Sequence, residues 1–406
     1  MSTENLIPAK EHPANIGMDF SFDGSIPCTV LKNYLSRSMV FLIMEETAGS
    51  TEDDIRLILH TGAKYIGRSA AVWKPGGWEY AVFPRYKEII DSVHVFDPDV
   101  VFEACIFETT WKSVEDFEIP AHVFEAYGLP AEKRRFSYDA MLYPDGSFLN
   151  QWGEDGSCPD ITRLETQLFY YFRACMIIDA GFEAIHWGQV HMIGRDDENF
   201  ACYTDLLHKV RMYAEKHARR HFVLHNAHTN GIVDANGMLM FDFHAGRTRI
   251  MTSPYDVPHP ASESHPQPAY IDPAFKGAIY GRSMGGKTHS GWTCEHLPYF
   301  VELDNCGTID KTELMNTPGI PFWPWGLDEI SWFANQPLSY QKEWLSYAYK
   351  WVRSNDAAGF FEMPGMRTAW FAAEKTQKNF YAHDTVFDSF GGGLEETIRS
   401  IWIANR

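Results

Sequence analysis

Four carboxylates sit in or just after short apolar runs. Asp242 lies in Leu239-Met240-Phe241-Asp242-Phe243-His244, Glu302 and Asp304 in Phe300-Val301-Glu302-Leu303-Asp304-Asn305, and Glu362 ends Gly359-Phe360-Phe361-Glu362. Side chains of a strand alternate between its two faces. On a strand, Asp242 and His244 share one face and Phe241 and Phe243 the other. Glu302 and Asp304 pair in the same way against Val301 and Leu303. An apolar outer face and an acidic inner face suit a parallel barrel, whose chemistry sits at the C-terminal strand ends. Cleavage of a glycosidic bond needs two such groups, a protonated acid for the leaving oxygen and a base or nucleophile. Burial or a neighbouring charge must raise the pKa of the acid. Asp304 and Asp242 are the expected pair, in either order, with Glu302 and Glu362 as close supporters and His244 orienting one of the carboxylates. A separation of about 5 Å between paired carboxyls gives retention, and roughly 6.5–9.5 Å gives inversion.

Other residues are placed to hold a polar, flat-faced ligand. His186 and Gln189, in His186-Trp187-Gly188-Gln189, and His225 and Asn226 end two further strands. Their side chains suit the hydroxyls of a sugar. Trp73, Trp187 and Trp292 offer stacking faces. Glu108 ends a strand, as Glu45 and Glu46 end another. Arg68 sits in a strand otherwise built of small residues, and an inward guanidinium needs an acid, for which Glu103 on the neighbouring strand is the candidate. Arg282 is within reach of a polar ligand from a loop.

Two competing chemistries draw on overlapping residues. His186, His191, His225, His228 and His244, with Asp242 or Glu302, could hold one divalent metal ion that activates water. Strand one carries no His-x-His, so the common amidohydrolase pattern is missing, and the assignment is made without a metal or other cofactor. The segment Gly281-Arg282-Ser283-Met284-Gly285-Gly286-Lys287-Thr288 fits G-x-x-x-x-G-K-[ST] at every position. A phosphate loop must open a helix. His289-Ser290-Gly291-Trp292 is a poor helix start, so this motif reads as a loop.

Around these residues the chain alternates strand and helix patterns. Strands are expected at 39–45, 64–73, 100–109, 183–188, 221–226, 239–244, 300–304 and 359–363. Helices are expected at 51–60, 84–95, 161–179, 199–219, 327–335, 338–355 and 394–404. Thr51 followed by Glu52, Asp53 and Asp54 is a helix start, and Gly181 a helix stop. Eight strands with interleaved helices predict an α/β chain folded as a (β/α)8 TIM barrel, with a doubly wound open sheet as the alternative. Residues 1–36 read as an N-terminal extension and 37–406 as one catalytic domain with a loop insertion at about 252–298.

Composition limits the partners. A formal net charge of −19 argues against a nucleic-acid backbone as ligand. No run of about 18 apolar residues exists, so no membrane span is expected. Seven scattered cysteines without a CxxC suit reduced thiols and a cytoplasmic protein. Residues Pro321-Phe322-Trp323-Pro324-Trp325-Gly326 form an aromatic rim or an interface patch, which would suit a homo-oligomer.

With Asp242, His244, Glu302, Asp304, Glu362 and the tryptophan-rich loops in view, the chain resembles (β/α)8-barrel glycoside hydrolases in general, from about Met39 to Ala404. The resemblance implies a small-molecule carbohydrate substrate and carboxylate acid/base catalysis. One departure is specific: many such enzymes carry Asn-Glu at the end of strand four, where this chain has His186-Trp187-Gly188-Gln189. A metal-dependent hydrolase, lyase or isomerase and a non-catalytic sugar-binding barrel are the other readings.

Overall fold

The computed structural model describes residues 12–45, 50–247, 249–250, 269–270, 283–304, 329–371, 373–384 and 392–406. The chain is a mixed α/β protein around a central, mostly parallel sheet. The main strands are β1 (Ser38–Phe41), β2 (Tyr65–Ala70), β3 (Val101–Cys105), β4 (Ala184–His186), β5 (Leu224–Asn226), β6 (His244–Arg247), β7 (Tyr299–Glu302), β8 (Gly359–Phe361), β9 (Met363–Phe371) and β10 (Thr376–Tyr381). Seven lie in one sheet, in the order β10-β9-β1-β2-β3-β4-β5. Only the β9–β10 pairing in it is antiparallel. From β1 to β5 the order follows the sequence without the reversal that defines a doubly wound sheet. Strands β8, β7 and β6 pair in parallel as a second sheet. Two main-chain links among the described residues join the two sheets. The Asp242 and Ala245 amides donate to the carbonyls of His225 and Ala227, at 2.8 and 3.1 Å. At the other side, β8 and β9 are joined through Glu362, whose amide donates to Val301 at 3.0 Å.

Helices α1 (Cys28–Leu35), α2 (Thr51–Thr61), α3 (Glu79–Phe96), α4 (Leu164–Asp179), α5 (Ala201–His217), α6 (Leu338–Asn355) and α7 (Glu395–Ala404) complete the frame. α3 starts five residues before the expected Pro84. Its first residue, Glu79, is buried against Arg173 of α4 and accepts the Gly76 amide at 3.1 Å, which anchors the early turn. Helices α2 to α7 supply residues to the large core, together with one face of the strands. The other face, here the inner face, carries Tyr65, Val101, Ala184, Leu224, Phe243, Phe300 and Phe360. These pack against Phe20, Phe22 and the α1 residues Val30, Leu31, Tyr34 and Leu35. The segment read as an N-terminal extension is therefore, from Phe20 to Leu35, part of a core.

Three local expectations change. The sixth strand starts at His244, not Leu239, so the alternation assumed for 239–243 does not apply there. Strands Met363–Phe371 and Thr376–Tyr381 form the antiparallel β9–β10 pair, beyond the last strand expected from the sequence. Of the insertion, the described part includes a short strand at Ala269–Tyr270, antiparallel to Arg249–Ile250, and a hairpin pairing Gly286–Lys287 with Thr293–Cys294. Lys287 and Thr288 open no helix, so the phosphate-loop pattern lacks the element that would make it one. Among the described residues, no helix is long and apolar enough to cross a membrane.

Glu395, at the start of α7, joins the last helix to α2. It accepts both Nη1 and Nη2 of Arg56 at 2.5 and 2.8 Å, contacts His60, and takes the Asp384 amide at 3.2 Å. Burial opposes its charge, but these partners hold its pKa down to about 2. A depressed carboxylate pKa stabilises the fold above the unfolded value of about 4.3, and that contribution is lost as pH falls through the folded value. Glu395→Gln is therefore expected to lower the melting temperature at pH 7. The gap to wild type should close between about pH 4 and pH 2, as read in thermal melts across that range.

Candidate active site

The inner face changes chemistry within one pleat of each strand. Two residues after Tyr65, Val101, Ala184, Leu224, Phe300 and Phe360 come Gly67, Glu103, His186, Asn226, Glu302 and Glu362. Strand alternation returns each of these to the same face. All five polar ones are buried, so each polar atom needs a partner.

Arg68 supplies much of that partnering. Its Nη2 donates to Glu302 Oε1 and to His228 Nε2, both at 2.7 Å, and its Nη1 lies 3.7 Å from Asp304 Oδ1. Arg367 of β9 donates to the same Asp304 oxygen at 2.9 Å. Glu103 does not take the Arg68 guanidinium as expected; it accepts the Arg68 backbone amide at 2.8 Å, and the guanidinium reaches β7 instead. Arg68 has φ of +51°, a left-handed conformation that costs a non-glycine residue roughly 1–2 kcal/mol. Next to it, a Cβ on Gly67 would lie 2.1 Å from Glu362 Oε1, so glycine makes room for that carboxyl.

The carboxylates diverge in their protonation. Burial acts to raise the pKa of Glu302, but the Arg68 charge and His228 outweigh it and leave it below the ordinary value. Glu362 is pushed well up by burial, with the charges of Glu302 and Glu103 acting the same way. Environments that drive two neighbouring acids apart separate an ionised group from a proton carrier.

Above this layer opens a cavity of about 390 Å³. Trp73, Phe107 and Trp152 form one wall, with Trp73 in ring contact with both of the others at 5.2 Å. Glu45, Glu108, Gln189, Asp304, Arg68, Arg367 and His228 supply the polar lining. Glu108 accepts the backbone amide and the Nε2 of Gln189, each at 2.8 Å. Gly188 permits this, having φ of +60° and no Cβ where Glu108 Oε2 sits. Trp152 Nε1 donates to the Glu108 carbonyl at 3.0 Å, which ties the aromatic wall to the acid. Burial raises the Glu45 pKa against the opposing charge of Arg367.

The sequence-predicted residues thus divide. Asp304, Arg68, Glu108, Gln189 and Trp73 line the cavity. Glu302, Glu362, His186 and Asn226 lie in the buried layer, where His186 Nδ1 meets Asn226 Oδ1 at 2.6 Å and Asn226 Nδ2 meets Glu103 at 2.5 Å. Asp242, expected to pair with Asp304, instead accepts the His225 amide at 2.9 Å and faces Arg211 of α5 at 3.4 Å. His244, expected to orient one of the site's carboxylates, contacts Ser283 at 3.0 Å, and burial drops its pKa to about 3. Trp187 donates to His225 at 2.9 Å and packs on Tyr170 and Tyr203 of the helix layer, so neither it nor His225 joins the cavity. Trp292 binds the Ile26 carbonyl at 2.9 Å and packs on the α1 cluster. Arg282, Asn305 and the 321–326 aromatic run lie outside the described residues. Sequence reasoning missed Arg367, Thr368 and Gln377, which the β9–β10 hairpin carries; an arginine inside the apolar run 363–371 was the available signal.

Of the expected metal ligands, His228 and Glu302 come together with Asp304, which was not among them, their ligand atoms all within 4.8 Å of one another. Arg68 Nη2 already donates to two of these residues, so its guanidinium supplies the positive charge there. No protein-family model matches the chain, and no curated protein matches it in sequence.

Removing one partner of a buried ion pair costs about 3–5 kcal/mol, because the other charge is left uncompensated. Arg68→Met is expected to destabilise the protein by that amount in urea unfolding at pH 7. A loss below about 1 kcal/mol would mean that Glu302 and Asp304 do not depend on this guanidinium.

Proposed function

We propose that the protein is a glycoside hydrolase acting at the C-terminal mouth of a closed (β/α)8 barrel. The closed barrel is supported by the two contacts between the sheets, at 225–245 and at Glu362, and by the in-sequence strand order from β1 to β5. The observation that carries the function is the cavity itself. An aromatic wall of Trp73, Phe107 and Trp152 faces Glu45, Glu108 and Asp304 across a volume of about 390 Å³. Sugar rings offer apolar C–H faces to such a wall and hydroxyls to such a rim.

Asp304, flanked by Arg68 and Arg367, acts as the base or nucleophile at the anomeric carbon. Glu45, whose pKa burial raises, donates a proton to the leaving oxygen. Glu302 and Glu362 lie one layer below and set the field around Arg68. Gln189 and Glu108 bind hydroxyls. The scattered thiols, six of them free among the described residues, favour a reducing, cytoplasmic setting.

Asp304→Asn is expected to abolish hydrolysis of aryl glycosides and oligosaccharides while the melting transition stays cooperative. Glu45→Gln should lower kcat/KM by about 10²–10⁴-fold on sugars with poor leaving groups, and much less on activated aryl glycosides that need no proton. In wild type, activity should fall as pH rises through the raised Glu45 pKa, because the acid works only while protonated. Wild-type turnover by Asp304→Asn would remove it from the chemistry. Loss of activity on chelation, restored by a divalent ion, would favour the His228, Glu302 and Asp304 metal reading instead.

A further inference from the structure

We propose that Glu103 is a positioning residue, whose carboxylate fixes the bulge in β2 that aims the Arg68 guanidinium at Glu302, His228 and Asp304. The functional part of this inference rests on the hydrolase reading; the structural part does not.

The pairing of β2 with β3 is broken at one place. Tyr65 and Ile66 face Val101 and Phe102 in regular register, but the next matched pair is Ala70 with Ala104. Gly67, Arg68 and Ser69 are thus spanned by the single residue Glu103. A bulge of this kind redirects a side chain and leaves backbone groups without ladder partners. Glu103 takes up one of those groups, the Arg68 amide, and also holds the Ser69 side chain. Its Oε2 accepts the Arg68 amide at 2.8 Å, and its main-chain carbonyl accepts the Ser69 hydroxyl at 2.7 Å. Its other carboxyl oxygen is fixed by the Tyr65 hydroxyl and by Asn226 Nδ2, each at 2.5 Å. Three donors therefore converge on one buried carboxylate, which only accepts in its ionised form.

Eight described non-glycine residues have positive φ, and Arg68 alone among them lies within a strand of the central sheet. A strained backbone of this sort persists where its surroundings over-determine it. The neighbours fit that requirement. Gly67 leaves the space that Glu362 fills, and Glu103 holds the amide on the following residue. The guanidinium then reaches three residues from β7 and from the segments after β5 and β7, which is what an extended Arg68 with its side chain alternating outward would not do.

The substitution that tests this is Glu103→Gln, which keeps the size but offers one accepting oxygen to three donors. Glu103→Asp serves as a second variant, retaining the charge on a shorter arm. The expected crystal structure of either variant has Arg68 at negative φ and its Nη atoms withdrawn from Glu302. An unchanged φ near +51° with the Glu302 contact intact in both would overturn the proposal, whatever the protein's activity. In hydrolysis assays, Glu103→Gln should lose on the order of 10²-fold in kcat with KM little changed, as a misplaced group does. The double variant with Arg68→Gln should be no worse than Arg68→Gln alone, since Glu103 acts through Arg68. Additive losses would mean that Glu103 serves the fold generally and would also overturn it. A moved Arg68 in a protein that hydrolyses no glycoside would leave the positioning role standing and sink the hydrolase reading.

Discussion

Two carboxylates of one strand end, Glu302 and Asp304, are both almost fully buried, and the charge that makes this tolerable is the guanidinium of Arg68. Desolvating an ion costs several kcal/mol unless an opposite charge and hydrogen bonds replace the water. The site is organised around that requirement. β2 bulges so that Arg68 can point across to β7. Glu103 takes the amide that the bulge frees, and Gly67 yields its Cβ position to Glu362. Arg367 brings a second guanidinium to Asp304 from β9. The long β9–β10 pair thus contributes a charge to the buried cluster and is not merely an edge.

The inner face is layered. Its lower level is apolar and aromatic, with Tyr65, Phe243 and Phe300 in mutual edge-to-face contact. One pleat further along the strands the level is polar. This order separates stability from chemistry: the aromatic level buries area against α1, while the polar level above it spends part of that gain on desolvated charge. Tyr65 joins the two, since its ring belongs to the lower level and its hydroxyl binds Glu103 in the upper.

That layering explains what could be read in advance. Phe300-Val301-Glu302-Leu303-Asp304 is a strand with its acids on one face, and period-two alternation was enough to place Glu302 and Asp304. At β4 and β5 the same alternation separates neighbouring residues. His186 and Asn226 face inward, so Trp187 and His225, one residue away on each strand, must face the helices, as their contacts with Tyr170, Tyr203 and each other reflect. Asp242 failed for another reason. Residues 239–243 are not a strand, and a local pattern of alternating polarity says nothing about facing once the backbone is irregular. Arg68 was noticed as an anomaly, but its target was not legible, because a left-handed residue in a strand inverts the direction that the pleat would assign.

The protonation of the buried layer follows from counting charges. The charges of Glu302 and Glu103 raise the pKa of Glu362, that of Asp304 acts to raise Glu302, and the opposing cations are Arg68 and Arg367. Arg367 is largely committed to Asp304. Glu302 holds the direct contact with Arg68 and falls on the ionised side. Burial raises the pKa of Glu103, and the three donors aimed at it work in the other direction. Glu362 has neither advantage, and its Oε1 has no hydrogen-bond partner. Burial, with the charges of Glu302 and Glu103 acting the same way, pushes its pKa well up.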